Sequence, residues 1–342
     1  MQNRRLLKIS AVLALAAVLL TGCGIIKEET NETDILMGTV FSVKYTTEGA
    51  GKGQKLWNEL EQTGTNLDDK ILSWRSEEAE IAKINASAGS EEGYPVSEEL
   101  EKYLAECIEV SERTGGAFDI TLGSLTQLWT IDEKALIGEG NIPSDEEIAK
   151  ALDCSGYKKI RLEDHRIYLP EGLSLDMGAV GKGIYLQKAK DILEDKTLQA
   201  TVSAGGSILL CRDDGIFWRV GIVDPFNPSQ VYGTIKGRGN AYISTSGDYE
   251  RFFFADGEKY HHILDSKTGF PADSGIKSVT IVMNTDYEMN GLISDALSTA
   301  VFVLGEELGV LHAKRYGAEV LIIRNDGSYY ATDKMQSMLE ID

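Results

Sequence analysis

The chain has 342 residues, enough for one large domain or two modest ones with a sizeable core. Its 42% hydrophobic and 26% charged residues are ordinary for a soluble globular protein. The formal net charge of -20 argues against nucleic acid as a partner, and an anionic ligand would need a local positive charge or a divalent cation.

The first 22 residues have the pattern of a targeting segment. A basic start, MQNRRLLK, precedes the apolar run ISAVLALAAVLL, which is too short to favour a stable membrane-spanning helix. The run leads into LTGC, which ends at Cys23 and resembles the bacterial lipobox, where cleavage before the cysteine leaves an S-lipidated first residue. The alternative is a plain secretory signal that happens to contain a cysteine.

We therefore expect a lipoprotein signal peptide over 1–22, lipidation at Cys23 and a mostly polar tether over 23–33. Acyl chains on one cysteine give firm membrane attachment. The predicted location is the cell envelope, either on the outer face of the cytoplasmic membrane or facing the periplasm. Three other cysteines, Cys107, Cys154 and Cys211, are too widely spaced for a disulfide framework or a zinc site. We expect them to be buried or semi-buried, with one possible disulfide that the spacing cannot assign.

The folded domain is predicted over 34–342, opening with strand-like alternation at Asp34. Amphipathic periodicity and end signals predict helices over 53–73, 98–116, 144–152, 183–195, 290–305 and 308–317. Alternating apolar residues and turn signals predict strands within 158–170, 173–176, 200–211, 218–225, 232–237, 241–264, 277–283 and 318–332. This order has no clean βαβ rhythm and no short repeat. It predicts an α+β fold (loosely α/β) of mixed sheets with packed helices.

The helix predicted over 290–305 carries a carboxylate inside an apolar run. Asp295, Ser298 and Thr299 fall at positions i, i+3 and i+4, so they share one helix face. A helix that is apolar nearly all round is expected to be buried, and the polar stripe then needs a partner. Carboxylate and hydroxyl oxygens suit a hard cation such as Mg²⁺ or Ca²⁺. Alternatively, Asp295 caps a neighbouring loop, and the two hydroxyls bond back to the preceding helical turn.

The stretch LSLDMGAVGKG, 173–183, predicts a strand that carries Asp176 to its end, then a glycine-rich turn and a helix. Glycines let backbone amides approach phosphate oxygens, and Lys182 adds a positive charge. The glycine spacing matches neither a P-loop nor the dinucleotide-binding fingerprint. Tight packing of the strand against the helix explains the glycines equally well.

Two further stretches contain candidate site residues. His261 and His262 are adjacent in a predicted strand and point to opposite faces, so we expect at most one of them to serve as a general base. Phe118 beside Asp119, in TGGAFDITLG, could pack a flat ring and bond its edge. The alternative for this pair is a core aromatic next to a turn cap.

Seven short stretches together resemble the ApbE-type FAD:protein FMN transferases, and they occur in the order found in that family. They span about 34–304, nearly all of the chain beyond the tether. The stretches are MGT, ILSWRSEEAEIAKIN, TGGAFDIT, LDMGAVGKG, ISTSGDYER, HILDSKTG and SDALSTAVFVLG. This chain departs from the family in two places. It has Ser266 where the family usually has proline, and Gly181 stands where the family's common GGIAKG has alanine.

The resemblance implies an ApbE-like flavin transferase fold and a Mg²⁺-assisted reaction. FAD binds with its pyrophosphate on the cation, a threonine hydroxyl of a partner protein attacks the FMN-side phosphorus, and AMP leaves. Asp295, Thr299, Ser298 and the backbone carbonyl of Ala179 correspond to the metal site. His262 corresponds to the histidine suggested to deprotonate the acceptor hydroxyl.

The same resemblance implies the residues that contact FAD. Asp176, Lys182 and His262 are expected to contact the cofactor. The remaining positions correspond to residues that line the flavin and adenine ends, namely Met37, Trp74, Ala117, Phe118 and Asp119.

Two alternative functions remain open at this stage. With water in place of the acceptor hydroxyl, the same site would be an FAD pyrophosphatase that yields FMN and AMP. A lipoprotein that only binds and delivers flavin is the other alternative, although simple binding would not require Asp295. The expected partner carries a motif like S/T-G-A-T, which this chain lacks, so the modification is expected to occur in trans.

Overall fold

The computed structural model describes residues 27–212 and 215–341. The predicted signal peptide and Cys23 lie outside these ranges. In the part of the chain that is described, no helix combines the length and the apolar character needed to cross a membrane.

Within the described ranges, six helices form where amphipathic periodicity predicts them, and four short helices, over 80–86, 123–129, 131–137 and 333–338, were not predicted. Ser144 caps one of the six in a capping box, accepting a hydrogen bond from the Glu147 amide while the Glu147 carboxylate accepts from the Ser144 amide. The helices of the described residues are α1 (Lys52–Asn66), continued by a π-helical segment (Leu67–Leu72), α2 (Glu80–Ala86), α3 (Glu98–Arg113), α4 (Gly123–Trp129), α5 (Ile131–Ile137), α6 (Asp145–Asp153), α7 (Gly181–Leu193), α8 (Asn290–Leu304), α9 (Glu306–Arg315) and α10 (Asp333–Met338).

The strands form one large sheet and three small ones. The large sheet has eight strands in the order β1-β2-β6-β7-β10-β13-β14-β15, and one small sheet has the order β16-β9-β8. The strands are β1 (Lys27–Leu36), β2 (Thr39–Glu48), β3 (Tyr94–Pro95), β4 (Arg161–Glu163), β5 (Arg166–Tyr168), β6 (Gln199–Ala204), β7 (Ser207–Arg212), β8 (Trp218–Val223), β9 (Val231–Gly237), β10 (Ala241–Gly247), β11 (Phe252–Ala255), β12 (Glu258–His261), β13 (Ile276–Met283), β14 (Glu319–Arg324), β15 (Tyr329–Ala331) and β16 (Leu339–Ile341).

The large sheet is buried on both faces of its central strands. Successive side chains of a strand point to opposite faces, so Leu209 of β7 joins the main core and Leu210 joins a second core. The main core lies between the sheet and helices α1, α3, α7 and α8. The second core lies between the sheet and β8, β9 and α10. This layering places α8 directly against β10 and β13.

The α+β class is confirmed, and three details of the prediction are wrong. The tether does not extend to residue 33, because Lys27–Leu36 pairs along its whole length with β2. The segment 173–176 is not a strand and makes only an isolated bridge between Ser174 and Leu122. The sheets are not of mixed direction either. All pairings between named strands are antiparallel, since hairpins such as β1–β2 and β6–β7 reverse the chain within a short turn.

The burial expected for the three cysteines is confirmed, and the possible disulfide does not form. Cys107 and Cys211 are buried, Cys154 is half-buried, and all three are free thiols. Burial raises the pKa of Cys211 to about 12, so this thiol stays protonated and unreactive at neutral pH.

Candidate functional site

Asp295 lies on α8 in the middle of the molecule and is only 2% exposed. Both carboxylate oxygens accept a hydrogen bond from the protein. Oδ2 accepts from the Gly183 amide at 2.7 Å, and Oδ1 accepts from the Ser207 hydroxyl at 2.5 Å. The capping role considered from the sequence is therefore present, and a cation is not the only partner this carboxylate has. Each carboxylate oxygen still keeps a second acceptor position.

Ser298 and Thr299 differ in how the protein uses their hydroxyl groups. Ser298 is buried, donates to the Asp295 carbonyl at 2.8 Å, and lies 2.7 Å from the Ser246 hydroxyl on β10. Thr299 is half-buried, and its hydroxyl is 3.5 Å from that of Ser246. The back-bonding alternative thus holds for Ser298, while the Thr299 hydroxyl is the more available ligand.

The start of α7 meets α8 at two glycines. A Cβ on Gly183 would lie 2.1 Å from the Gly291 carbonyl oxygen, and a Cβ on Gly291 would lie 2.4 Å from that of Gly183. This close approach lets the Gly183 amide reach Asp295 and brings the Lys182 ammonium to 3.8 Å from its Oδ2. The glycines therefore allow the tight packing considered from the sequence. The same packing also brings Lys182, the positive charge considered for a phosphate ligand, next to Asp295.

The turn before α7 contains Asp176 and Ala179, both half-buried. The Asp176 Oδ1 accepts from the Gly178 amide at 2.8 Å, which closes the turn. Helix α7 begins at Gly181, whose amide donates to the Met177 carbonyl at 2.9 Å, and the Gly183 amide donates to Asp295. The Lys182 side chain is the positive group that this helix start places beside the carboxylate. Amides at a helix N-terminus and a nearby lysine favour an anionic group.

His262 directly follows β12 and approaches the site from another side. Its Nδ1 lies 3.3 Å from the Arg251 carbonyl, and a carbonyl only accepts, so Nδ1 carries the proton and Nε2 is free to accept one. Burial lowers the pKa of His262 well below 6.5, and the charges of Arg251 and Lys182 lower it further. His261 points the other way, as predicted, and bonds the Ala272 carbonyl inside the core at 3.0 Å.

Met37 lies against the start of α7, and Trp74 packs against Arg75. Met37 occupies the β1–β2 turn with a positive φ of 51°, and its terminal methyl lies 3.1 Å from the position that a Cβ on Gly181 would take. The Arg75 guanidinium carbon lies over the Trp74 ring, 4.0 Å from the centroid of that ring. The Arg75 guanidinium also pairs with Asp132 on α5 at 2.9 Å.

The segment Ala117–Asp119 is built into the core. Ala117 and Phe118 are 3% and 1% exposed. Asp119 accepts hydrogen bonds from the amides of Thr121 at 2.8 Å and Tyr157 at 2.9 Å. Burial raises the pKa of Asp119, and these hydrogen bonds oppose that shift. The alternative of a core aromatic beside a turn cap describes this segment, and its contact with a flavin stays a prediction.

The donor set around Asp295 fits a cation that binds together with a phosphate ligand. Across 27–212 and 215–341, no group of three or more His, Cys, Asp and Glu side chains is arranged to hold a metal ion. The available oxygens are those of one carboxylate, the Thr299 hydroxyl and the turn that contains Ala179. Mg²⁺ commonly uses one or two carboxylates and completes its octahedron with water and substrate phosphates.

Sequence reasoning assigned no role to several residues of this region. Ser207 holds Asp295, and Arg251 presents its carbonyl to His262 while its guanidinium pairs with Asp132 at 2.8 Å. Burial raises the pKa of Glu250, and the positive charges of Lys182 and Arg251 oppose that shift. A glycine pair inside a strand pattern, as in SAGGS, is the one local signal that could have drawn attention to Ser207.

Comparison with known sequences identifies the family. The sequence profile described as the ApbE family matches residues 37–322. The FAD:protein FMN transferase of Vibrio cholerae serotype O1 is 29% identical over 338 residues, covering 96% of this chain and 98% of that protein. The FAD:protein FMN transferase of Treponema pallidum is 30% identical over 321 residues, covering 87% of this chain and 85% of that protein.

Solved structures that resemble this chain are also ApbE proteins. A crystal structure of the ApbE protein from Thermotoga maritima superposes with a TM-score of 0.79 at 31% identity, covering 91% of this chain and 99% of that one. The flavin transferase ApbE from Vibrio cholerae superposes with a TM-score of 0.77 at 26% identity, covering 92% of this chain and all of that one.

Proposed function

Because this chain belongs to the ApbE family, it is an FAD:protein FMN transferase, and we propose the chemistry by which it acts. The acceptor is a threonine hydroxyl of a partner protein. Its oxygen forms a bond to the FMN-side phosphorus of FAD, and the bond from that phosphorus to the bridging oxygen of the diphosphate breaks. AMP leaves with the bridging oxygen, and FMN stays on the partner through a phosphoester.

One observation carries this proposal: a lysine, a helix N-terminus and a buried carboxylate meet beside a neutral histidine. The Lys182 ammonium, at the positive end of the α7 dipole, neutralises and orients the diphosphate. Asp295, Thr299 and the Ala179 carbonyl would hold Mg²⁺. Ser298, whose hydroxyl donates to the Asp295 carbonyl, would support this site. When bound, Mg²⁺ neutralises the diphosphate and polarises the phosphorus under attack.

His262 takes the proton from the acceptor hydroxyl. Its Nδ1–H is held by the Arg251 carbonyl, so the lone pair of Nε2 is available as the base. The lowered pKa keeps the imidazole neutral at pH 7, the form in which it can accept a proton. Met37, Trp74 and the Ala117–Asp119 segment are expected to border the flavin and adenine ends, and Asp176 to contact the diphosphate side.

The pH dependence of transfer follows from the lowered pKa of His262. A base works only when unprotonated, so the rate should be flat from pH 8 down to about 6.5 and fall only below the ordinary histidine pKa of 6.5. The His262→Gln variant should lose about 10²–10⁴-fold in rate, because general-base catalysis contributes roughly that factor. Its affinity for FAD, followed by flavin fluorescence, should change little. A rate limb centred above pH 6.5 in the wild-type protein would contradict the assignment.

The proposed setting of the enzyme is the cell envelope. Lipidation at Cys23 would anchor it on the outer face of the cytoplasmic membrane or facing the periplasm.

The proposal is tested with the purified protein, FAD, Mg²⁺ and a flavoprotein subunit that carries an S/T-G-A-T-like motif. We expect fluorescent flavin on the subunit that survives SDS electrophoresis, together with one AMP per flavin attached. A matched subunit with valine at the acceptor threonine should stay unlabelled.

The other outcomes identify the alternatives directly. Steady AMP release with an unlabelled subunit would show an FAD pyrophosphatase. FAD binding without any AMP would show a flavin-binding lipoprotein. Full labelling in EDTA would remove the Mg²⁺ requirement while leaving the transferase activity in place.

A further inference from the structure

The turn between β6 and β7 packs closely against β2, α7, β10 and the turn after β10. A Cβ on Gly205, which has a φ of +58°, would lie 2.6 Å from the Thr39 hydroxyl and 3.7 Å from the Lys182 side chain. A Cβ on Gly206 would lie 2.8 Å from the Thr245 carbonyl and 2.9 Å from a Glu250 carboxylate oxygen. The turn therefore has no room for side chains at these two positions.

The next residue, Ser207, makes the contact that this tight turn permits. It is completely buried, and its hydroxyl donates to Asp295 Oδ1 at 2.5 Å. Hydrogen bonds from a hydroxyl to a carboxylate are short and strong at this distance. The contact joins the large sheet to α8 across 88 positions of sequence.

The two donors to Asp295 come from different elements and hold different oxygens. Ser207 of β7 holds Oδ1, and Gly183 of α7 holds Oδ2. Together they fix the rotation of the carboxylate plane, which one donor alone would leave free. They also leave a second acceptor position on each oxygen, and the Lys182 ammonium lies 3.8 Å from Oδ2.

We propose that Ser207 is the positioning residue of Asp295: its hydroxyl orients the carboxylate so that the unused lone pairs face the cation and diphosphate of the bound substrate. Ser207 itself touches neither. The inference rests on the proposed function, because it assigns Asp295 a role toward Mg²⁺. Partners that orient a metal-ligating group typically change metal affinity by about 10–100-fold when removed.

The chain contains a matched control for this inference. Ser244 on β10 is paired with Ser207 across the sheet, is equally buried, and lies 2.8 Å from the hydroxyl of Ser294 on α8. Ser294 is the residue before Asp295. Replacing Ser244 therefore removes a buried hydroxyl that bonds the same helix but does not bond the carboxylate.

The experiment measures FAD binding by quenching of flavin fluorescence at increasing MgCl₂, without an acceptor protein. We expect Ser207→Ala to raise the half-saturating Mg²⁺ concentration by about 10-fold or more. Ser244→Ala should stay within about twofold of wild type. Ser207→Cys, which keeps a weak donor of similar size, should fall between wild type and Ser207→Ala and carries the test if the alanine variant does not fold.

Two results are decisive against the inference. Equal shifts in Ser207→Ala and Ser244→Ala would show that Ser207 acts only in packing. FAD binding by the wild-type protein that does not respond to Mg²⁺ would instead remove the metal role of the proposed function, so the two failures are distinguishable.

Discussion

The Asp295→Asn variant is expected to transfer FMN about 10²–10³-fold more slowly than the wild-type protein, the usual cost of removing one electrostatic contact to the reacting group. Asparagine removes the negative charge of Asp295 but keeps nearly the same side-chain shape. The asparagine carbonyl can accept from the Gly183 amide, and the Ser207 hydroxyl can rotate to accept from the new amide group. Initial rates of flavin attachment measure the effect, and a thermal midpoint near that of wild type confirms the fold.

Alanine is a less informative replacement at this position. It would leave the Gly183 amide and the Ser207 hydroxyl buried without an acceptor, at a cost of about 1–3 kcal/mol each. Lost activity in that variant could then reflect a loosened fold. Asp191→Asn, at an exposed carboxylate on α7, controls for the charge change. Wild-type transfer rates in Asp295→Asn would remove this carboxylate from the mechanism.

Gly183→Ala is expected to lower the free energy of unfolding by about 3 kcal/mol, the upper part of the range for overpacked sites. The added Cβ would lie 2.1 Å from the Gly291 carbonyl oxygen and 2.6 Å from its carbon, and backbone atoms cannot rotate away as a side chain can. Helices α7 and α8 must separate, which pulls the Gly183 amide from Asp295 and moves Lys182. Transfer activity should fall together with stability.

Urea denaturation followed by tryptophan fluorescence measures this change. Gly181→Ala, two residues earlier on the same helix, is the matched control, because its Cβ would meet only side-chain ends: the terminal methyl of Met37 at 3.1 Å and a Leu72 methyl at 4.0 Å. Those side-chain ends can move, so the control should keep nearly wild-type stability. Equal midpoints for the two variants would show that the crossing of α7 and α8 tolerates a side chain.

Local patterns predicted the elements well where neighbouring residues decide the structure. The helix predicted over 290–305 is observed at Asn290–Leu304, and the strands predicted within 318–332 are observed as the paired β14 and β15. The predictions failed where distant residues decide. Residues 27–33 read as a polar tether, yet they form an edge strand because β2 offers a partner along the whole length.

The sequence predicted which residues share the face of α8 better than it predicted which groups those residues hydrogen-bond. The periodicity of α8 placed Asp295, Ser298 and Thr299 on one face, and the structure keeps them there. The sequence could not indicate that Ser298 bonds back to Asp295 and to Ser246, whereas Thr299 is left more available. The hydrogen-bonding partner of a buried hydroxyl depends on which strand packs beside it.

The sequence by itself determined the six longer helices and most strands, the buried character of α8, the acidic charge and the family resemblance, because each depends on composition or on residues a few positions apart. Only the tertiary structure decided how Asp295 is held. Its two donors lie 112 and 88 positions away, on α7 and β7. They reach it because two glycines let α7 and α8 touch and a side-chain-free turn brings β7 against α8. Contacts of this kind arise from the packing of whole elements, which no local pattern encodes.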